Sequence, residues 1–224
     1  EIEESIHFCE AAWMSTCCVG AMSSLVRKYS GSCSSGSLEY GVARAAVVVL
    51  AFPALEPLDY AVARAPTSFP YVPGFLSFRE TPAVLEALGQ LRVRPDLLIC
   101  DGQGIAHPRR FGIACHVGLL AGLPAIGCAK SLLTGRHAAL PDERGATVPL
   151  MSGREQIGVV MRSRAGTKPL YISPGHRVSM ASALEFVRAC LTKYRLPETT
   201  RAADGLASHG RIPQIKPLAP GLFE

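Results

Sequence analysis

Residues 69–80 read Phe-Pro-Tyr-Val-Pro-Gly-Phe-Leu-Ser-Phe-Arg-Glu, a proline-braced aromatic stretch that runs directly into an acid, Glu80. Further on, Asp101 follows the apolar run Leu97-Leu98-Ile99-Cys100 and precedes Gly102-Gln103-Gly104. A carboxylate at the end of a buried strand is a hard oxygen ligand of the kind Mg²⁺ takes, one or two at a time, with substrate phosphate completing the shell. Tyr71, held between Pro70 and Pro73 with Gly74 next, sits on a backbone with little freedom to collapse. Rigid aromatic and apolar wedges of this kind part the base steps of a duplex. The combination points to metal-dependent chemistry on a nucleic acid. Each residue also has a plainer reading: Asp101 as the cap of a turn, Glu80 as the partner of Arg79 at a helix start, and Tyr71 as a core residue.

Further chemistry lies downstream. His176, in Pro174-Gly175-His176-Arg177-Val178-Ser179, falls between a strand and a helix N-terminus. Unpaired amides there favour anions, and a histidine can orient or protonate a phosphate or a water. His107, ahead of Pro108-Arg109-Arg110, and Lys130, after a buried strand, are candidates for phosphate contacts. Gly102 and Gly104 let the backbone turn sharply and approach a ligand. Capping for His176 and simple solvation for Lys130 are the alternatives.

These residues need elements to position them. Ala45–Phe52 is a β-branched apolar run suited to a central strand, with Leu58–Ala65 as its hairpin partner. Apolar residues at Val84, Leu85, Leu88 and Leu91 predict a helix over 82–91 with Thr81 as N-cap. Strands are expected at Leu97–Cys100, Ala125–Ala129, Ile157–Ser163 and Leu170–Ser173, and helices at Ala114–Ala121 and Ser179–Tyr194. This alternation predicts an α/β fold with a central mixed sheet flanked by helices. Residues 42–207 form the core of one domain, 1–41 a divergent N-terminal segment joined to it, and 208–224 a C-terminal tail.

Composition sets broader bounds. The chain of 224 residues is long enough for a full core, and no apolar run reaches the length of a membrane span. Its acidic start does not read as a signal peptide. Eight cysteines without zinc-type spacing fit buried free thiols and a cytoplasmic location. A formal charge of +5 permits a polyanion without demanding one.

In their order along the chain the motifs closely resemble the endonuclease V family, inosine-directed nucleases with an RNase H-like fold. The matching strings are Pro70 to Glu80, Asp101-Gly102-Gln103-Gly104 with His107 to Gly112, Ile126 to Ser131, Pro169 to Ser173 with Gly175-His176-Arg177, and Tyr194 to Glu198 with Arg201 and Asp204. The resemblance implies hydrolysis of the second phosphodiester 3′ to a deaminated adenine, in DNA and also in inosine-containing RNA. Mg²⁺ would be the metal, with Mn²⁺ able to substitute. Asp101 and Glu80 would serve the metal, and His176 and Lys130 would assist at the scissile phosphate. Tyr71, Pro70, Pro73 and Gly74 would form the strand-parting wedge, Gly102 and Gly104 would help hold the extruded base, and His107 and Arg177 would contact the nucleic acid. The protein would act as a monomer without a membrane partner.

One departure stands out. Where the family carries another metal-binding Asp, upstream of Ala45, the alignment of Gly31-Ser32-Cys33-Ser34-Ser35 puts Cys33. A thiol suits a hard cation poorly. This sets an inosine-binding module with weakened catalysis beside the active nuclease, with another RNase H-like nuclease such as a resolvase as a third reading.

Overall fold

The computed structural model describes residues 18–27, 42–67 and 76–215. They form β1 (Cys18–Arg27), β2 (Val42–Ala51), β3 (Glu56–Pro66), α1 (Leu76–Gly89), β4 (Leu97–Cys100), α2 (Ile113–Ala121), β5 (Ala125–Ala129), β6 (Thr147–Ser152), β7 (Glu155–Met161), β8 (Leu170–His176), α3 (Met180–Ala189) and α4 (Glu198–His209). The strands make one sheet in the order β3-β2-β1-β4-β5-β8-β7-β6. β4 runs parallel to both β1 and β5, and the other neighbours are antiparallel, so the sheet is mixed as expected.

Side chains alternate across a strand with a period of two, and this sorts the core into layers. Ala43, Ala45 and Val47 of β2 and Leu98 and Cys100 of β4 face Ala83, Val84 and Ala87 of α1 and Ile113, Ala114 and Val117 of α2. On the other face, Leu97 and Ile99 of β4 and Ile126 and Cys128 of β5 join Ala183 and Val187 of α3. Ala46, Val48 and Leu50 of β2 pack there against Ala203, Leu206 and Ala207 of α4. The sheet is thus covered on both faces, which is why β4 and β5 at its centre are apolar and buried throughout.

Five elements differ from expectation. α1 begins at Leu76, so Pro82 lies inside the helix, and the Thr81 hydroxyl meets His116 Nδ1 at 3.4 Å instead of capping. α3 keeps Ser179 as its N-cap, with Oγ accepting from Ser182 N at 3.1 Å, but ends at Ala189. β1, β6 and α4 were not anticipated: β1 lies in the segment read as divergent, Pro149 interrupts the pattern of β6, and α4 is largely polar. Among the described residues, no helix is long and apolar enough to cross a membrane. Cys100, Cys115, Cys128 and Cys190 are free and buried, as read from their apolar surroundings.

Two local devices hold β4 and its following loop. The Asp59 carboxylate of β3, only 3% exposed, accepts from Tyr60 N at 3.0 Å, Arg92 N at 2.6 Å and Val93 N at 3.1 Å, pinning the approach to β4. Burial works against its charge, but the three backbone donors and the Arg92 side chain hold its pKa below the ordinary value. After β4, Gly104 donates its N–H to Ser173 Oγ at 2.9 Å, and Ile105 N bonds Pro174 O at 2.8 Å. A Cβ on Gly104 would overlap that Pro174 carbonyl, so the loop can reach β8 only without a side chain.

A folded pKa below the unfolded one means that Asp59 contributes stability above the unfolded value near 3.8, lost as pH falls through the lower folded value. Asp59→Asn should therefore cost about 2 kcal/mol at pH 7, the scale of hydrogen bonds to a charged group, and much less at a pH below the lowered folded value. Urea unfolding at the two pH values reads the difference. Gly104→Ala should lower the urea midpoint by the equivalent of about 3 kcal/mol or more through backbone overlap.

Candidate active site at the carboxyl edge of β4 and β5

Strand parity explains how the charged residues meet. Asp101 follows β4 in phase with Leu97 and Ile99, and Lys130 follows β5 in phase with Ile126 and Cys128. All four apolar residues face the α3 and α4 side, so the two charged groups emerge there, at the same end of parallel neighbours. α4 packs on β1 and β2 and brings Asp204 to that end. Lys130 Nζ lies 2.7 Å from Asp101 Oδ2 and 3.6 Å from Asp204 Oδ1.

The two carboxylates are unequal. The side chain of Asp101 is 17% exposed and that of Asp204 38%. Burial raises the Asp101 pKa above its ordinary value despite the Lys130 hydrogen bond and charge, and the negative Asp204 adds to the rise. Burial also opposes the Lys130 charge, but the hydrogen bond and charge of Asp101, with Asp204, keep that amine above the ordinary lysine value. Its backbone is held independently: Arg195 donates to Lys130 O at 2.9 Å, Pro169 O at 3.0 Å and Lys168 O at 2.7 Å. Gln103 Nε2 bonds the next carbonyl, Ser131 O, at 3.0 Å.

Two carboxylates that converge on one cationic nitrogen form a donor set that fits a hard divalent cation. Among the described residues no group of three or more His, Cys, Asp or Glu is arranged to hold a metal, and Asp101 and Asp204 are the carboxylates that meet at Lys130. β1 runs beside β4 with Met22 opposite Cys100, and its ten residues include neither Asp nor Glu. Cys33, where the resemblance expected an Asp, lies outside the described residues, as do Pro70, Tyr71, Pro73 and Gly74.

The other anticipated residues have different places. Glu80 lies one turn before Ala83 and Val84 on the sheet-facing side of α1 and is 8% exposed. His176 is not brought to Lys130. It pairs with Ala125 at the start of β5, four residues, or about 13 Å, from the end that leads into Lys130. A register shift places Pro174 opposite Ile126, leaving Gly175 as the extra residue and turning His176 toward α2, where its Cβ occupies the space a side chain on Gly118 would need. Burial, and then the Arg177 charge, lower its pKa.

His107, expected to contact the nucleic acid, is held within its own turn. His107 is buried within its turn, and its Nδ1 accepts from Arg109 N at 3.2 Å while its carbonyl accepts from Arg110 N at 2.9 Å. Burial, and then the Arg109 charge, lower its pKa, and its ring braces the loop. Gly104 is likewise buried, with the space beside it filled by β8 backbone, and Ile113 fills the space at Gly102. Arg177 is exposed, with φ of 50°, beside His176. Asp204, which completes the charged cluster, appeared in the sequence only as the last matching residue of the resemblance, and its place beside the Tyr194–Glu198 string was the signal for it.

Comparison with known proteins agrees with the geometry. The family model for endonuclease V matches residues 30–205. An endonuclease V of Roseiflexus castenholzii is 66% identical over 172 residues, covering 77% of this chain and 78% of the relative. The crystal structure of endonuclease V from Streptomyces avermitilis superposes with a TM-score of 0.78 at 41% identity, covering 88% of this chain and 82% of that one. Endonuclease V from Ciona intestinalis, solved with a 23mer DNA containing an inosine followed by a ribo-adenosine, superposes at 0.72 with 25% identity, covering 88% and 86%. The mixed sheet with helices on both faces is their RNase H-like fold. A match spanning most of the chain, on a fold that gathers Asp101, Lys130 and Asp204 at one edge, establishes that the chain belongs to the endonuclease V family of metal-dependent nucleases.

Proposed function

We propose that this protein hydrolyses the second phosphodiester bond 3′ to deoxyinosine in DNA, using Mg²⁺ with Mn²⁺ as a substitute, and that inosine-containing RNA is a further substrate. The observation that carries the reading is the convergence of Asp101 and Asp204 on Lys130 in a chain of this family. The Ciona relative solved with inosine-containing DNA supports the choice of substrate. Membership in a nuclease family favours catalysis over inosine binding alone.

Asp101 and Asp204 would hold the metal, whose chemistry is to activate the attacking water and offset charge on the phosphate. Lys130 would neutralise and orient the scissile phosphate, its backbone kept in place by Arg195. Glu80, at the sheet-facing side of α1, would assist in positioning the water. Tyr71 with Pro70, Pro73 and Gly74 would part the strands, and the 101–104 loop would border the extruded base. An inosine is weakly paired, so it costs less to unstack than a normal base, and that difference contributes selectivity. Arg177 would contact the backbone of the nucleic acid.

An end-labelled duplex with a single deoxyinosine should be nicked one nucleotide beyond the lesion in Mg²⁺, and an adenine duplex should survive. Equal cutting of both would favour a nuclease of another specificity, and intact inosine duplex in both metals would overturn the reading. Asp204→Asn should reduce nicking by about 10²-fold or more, the scale of removing a charged group aimed at the reacting centre. His176→Ala should cut close to the parent rate, because His176 lies at the other end of β5.

A further inference from the structure

Lys130 Nζ lies between the carboxylates of Asp101 and Asp204. Its Nζ is within ion-pair distance of both Asp101 and Asp204, so the ammonium already neutralises part of their charge. The rest of the residue is fixed. Lys130 O is held by Arg195 at 2.9 Å, and Ser131 O by Gln103 at 3.0 Å, so rearrangement is left to the side chain. That side chain is 34% exposed and flexible along four carbons, with a route toward solvent.

We propose that the Lys130 ammonium and a divalent cation exchange at Asp101 and Asp204, so that metal binding displaces the amine outward to meet the substrate phosphate. This rests on the nuclease reading above and adds an order of events to it. The charges give the reason. Two carboxylates and one ammonium carry one net negative charge, which the nearby Arg195 guanidinium offsets, so without a metal the cluster offers a phosphodiester little attraction. Adding a dication makes the net charge positive, and two cations on one carboxylate pair repel each other. The weaker ligand contact is the one to break, and the ammonium's outward position is then beside an incoming anion. A single lysine thereby links occupancy of the metal site to readiness for phosphate, and holds the acids together before the metal arrives.

The test uses the full chain without nucleic acid. Binding of Mn²⁺, read from loss of the free-ion electron paramagnetic resonance signal, should be on the order of tenfold tighter in Lys130→Met than in the parent, since the competing cation is gone. Lys130→Gln, of similar length and also uncharged, should behave alike and serves if Lys130→Met folds poorly. Lys130→Arg should stay weak, and Asp101→Asn should weaken binding in both backgrounds. Equal or weaker Mn²⁺ binding in the folded uncharged variants overturns the exchange. A second readout is acylation of the Lys130 amine followed by peptide mass spectrometry, which should rise on adding Mn²⁺. Unchanged or reduced labelling overturns the outward displacement. Failure of the parent to nick inosine duplex would instead sink the nuclease reading, leaving these metal measurements as they stand.

Discussion

The site depends on a backbone-to-backbone approach that excludes side chains. After β4 the chain lies directly against β5 and β8, where Gly104 meets Ser173 and Pro174, and where a Cβ on Gly127 would run into the Gly104 amide. Two glycines therefore set how closely the loop that starts at Asp101 follows the sheet. A loop lifted by one side chain would move Gln103 off Ser131 O and change the distance from Asp101 to Lys130, which is short enough for a direct ion pair.

From that approach the rest follows through alternation. β4 and β5 are parallel neighbours of equal phase, so the first residues beyond their buried faces emerge together, and α4 lies on the same side. The identity of Asp101 and Lys130 as cluster members is thus a consequence of where four apolar side chains point. The antiparallel β8 obeys the same rule until its register shift near Ala125, after which His176 is carried to the α2 side.

Much of this was legible in the residues. β-branched and apolar runs located β2, β4 and β5 closely, and the acid after Leu97–Cys100 was read as a site residue. The endonuclease V resemblance, carried by motifs over most of the chain, is matched by the family model over residues 30–205. The position of His176 is not legible in the sequence, because its local setting, a Pro-Gly turn before a helix, says nothing about which end of a strand it occupies or which face a bulge selects. The burial of His107 is not legible in the sequence, because neighbouring arginines suggest an exposed basic surface, whereas its ring is folded into the turn. Asp204 was passed over because α4 is polar and follows Pro197, leaving a weak helical signal, and its partner lies far away in sequence.

The gradient of exposure across the cluster argues that its purpose is chemical. A half-exposed pair such as Lys130 with Asp204 adds at most about 1 kcal/mol to stability, since solvent screens it. The deeper Asp101 is costlier to keep charged, as its raised pKa records, and a buried pair often gives back less than its desolvation takes. A fold seeking only stability would gain more from apolar residues at these strand ends. Here the acid is sunk where its field is least screened, the lysine spans from it toward solvent, and the second acid stands at the rim. In the proposed exchange an ion meets the carboxylate pair, while Arg195 holds the lysine's backbone as its side chain changes partners.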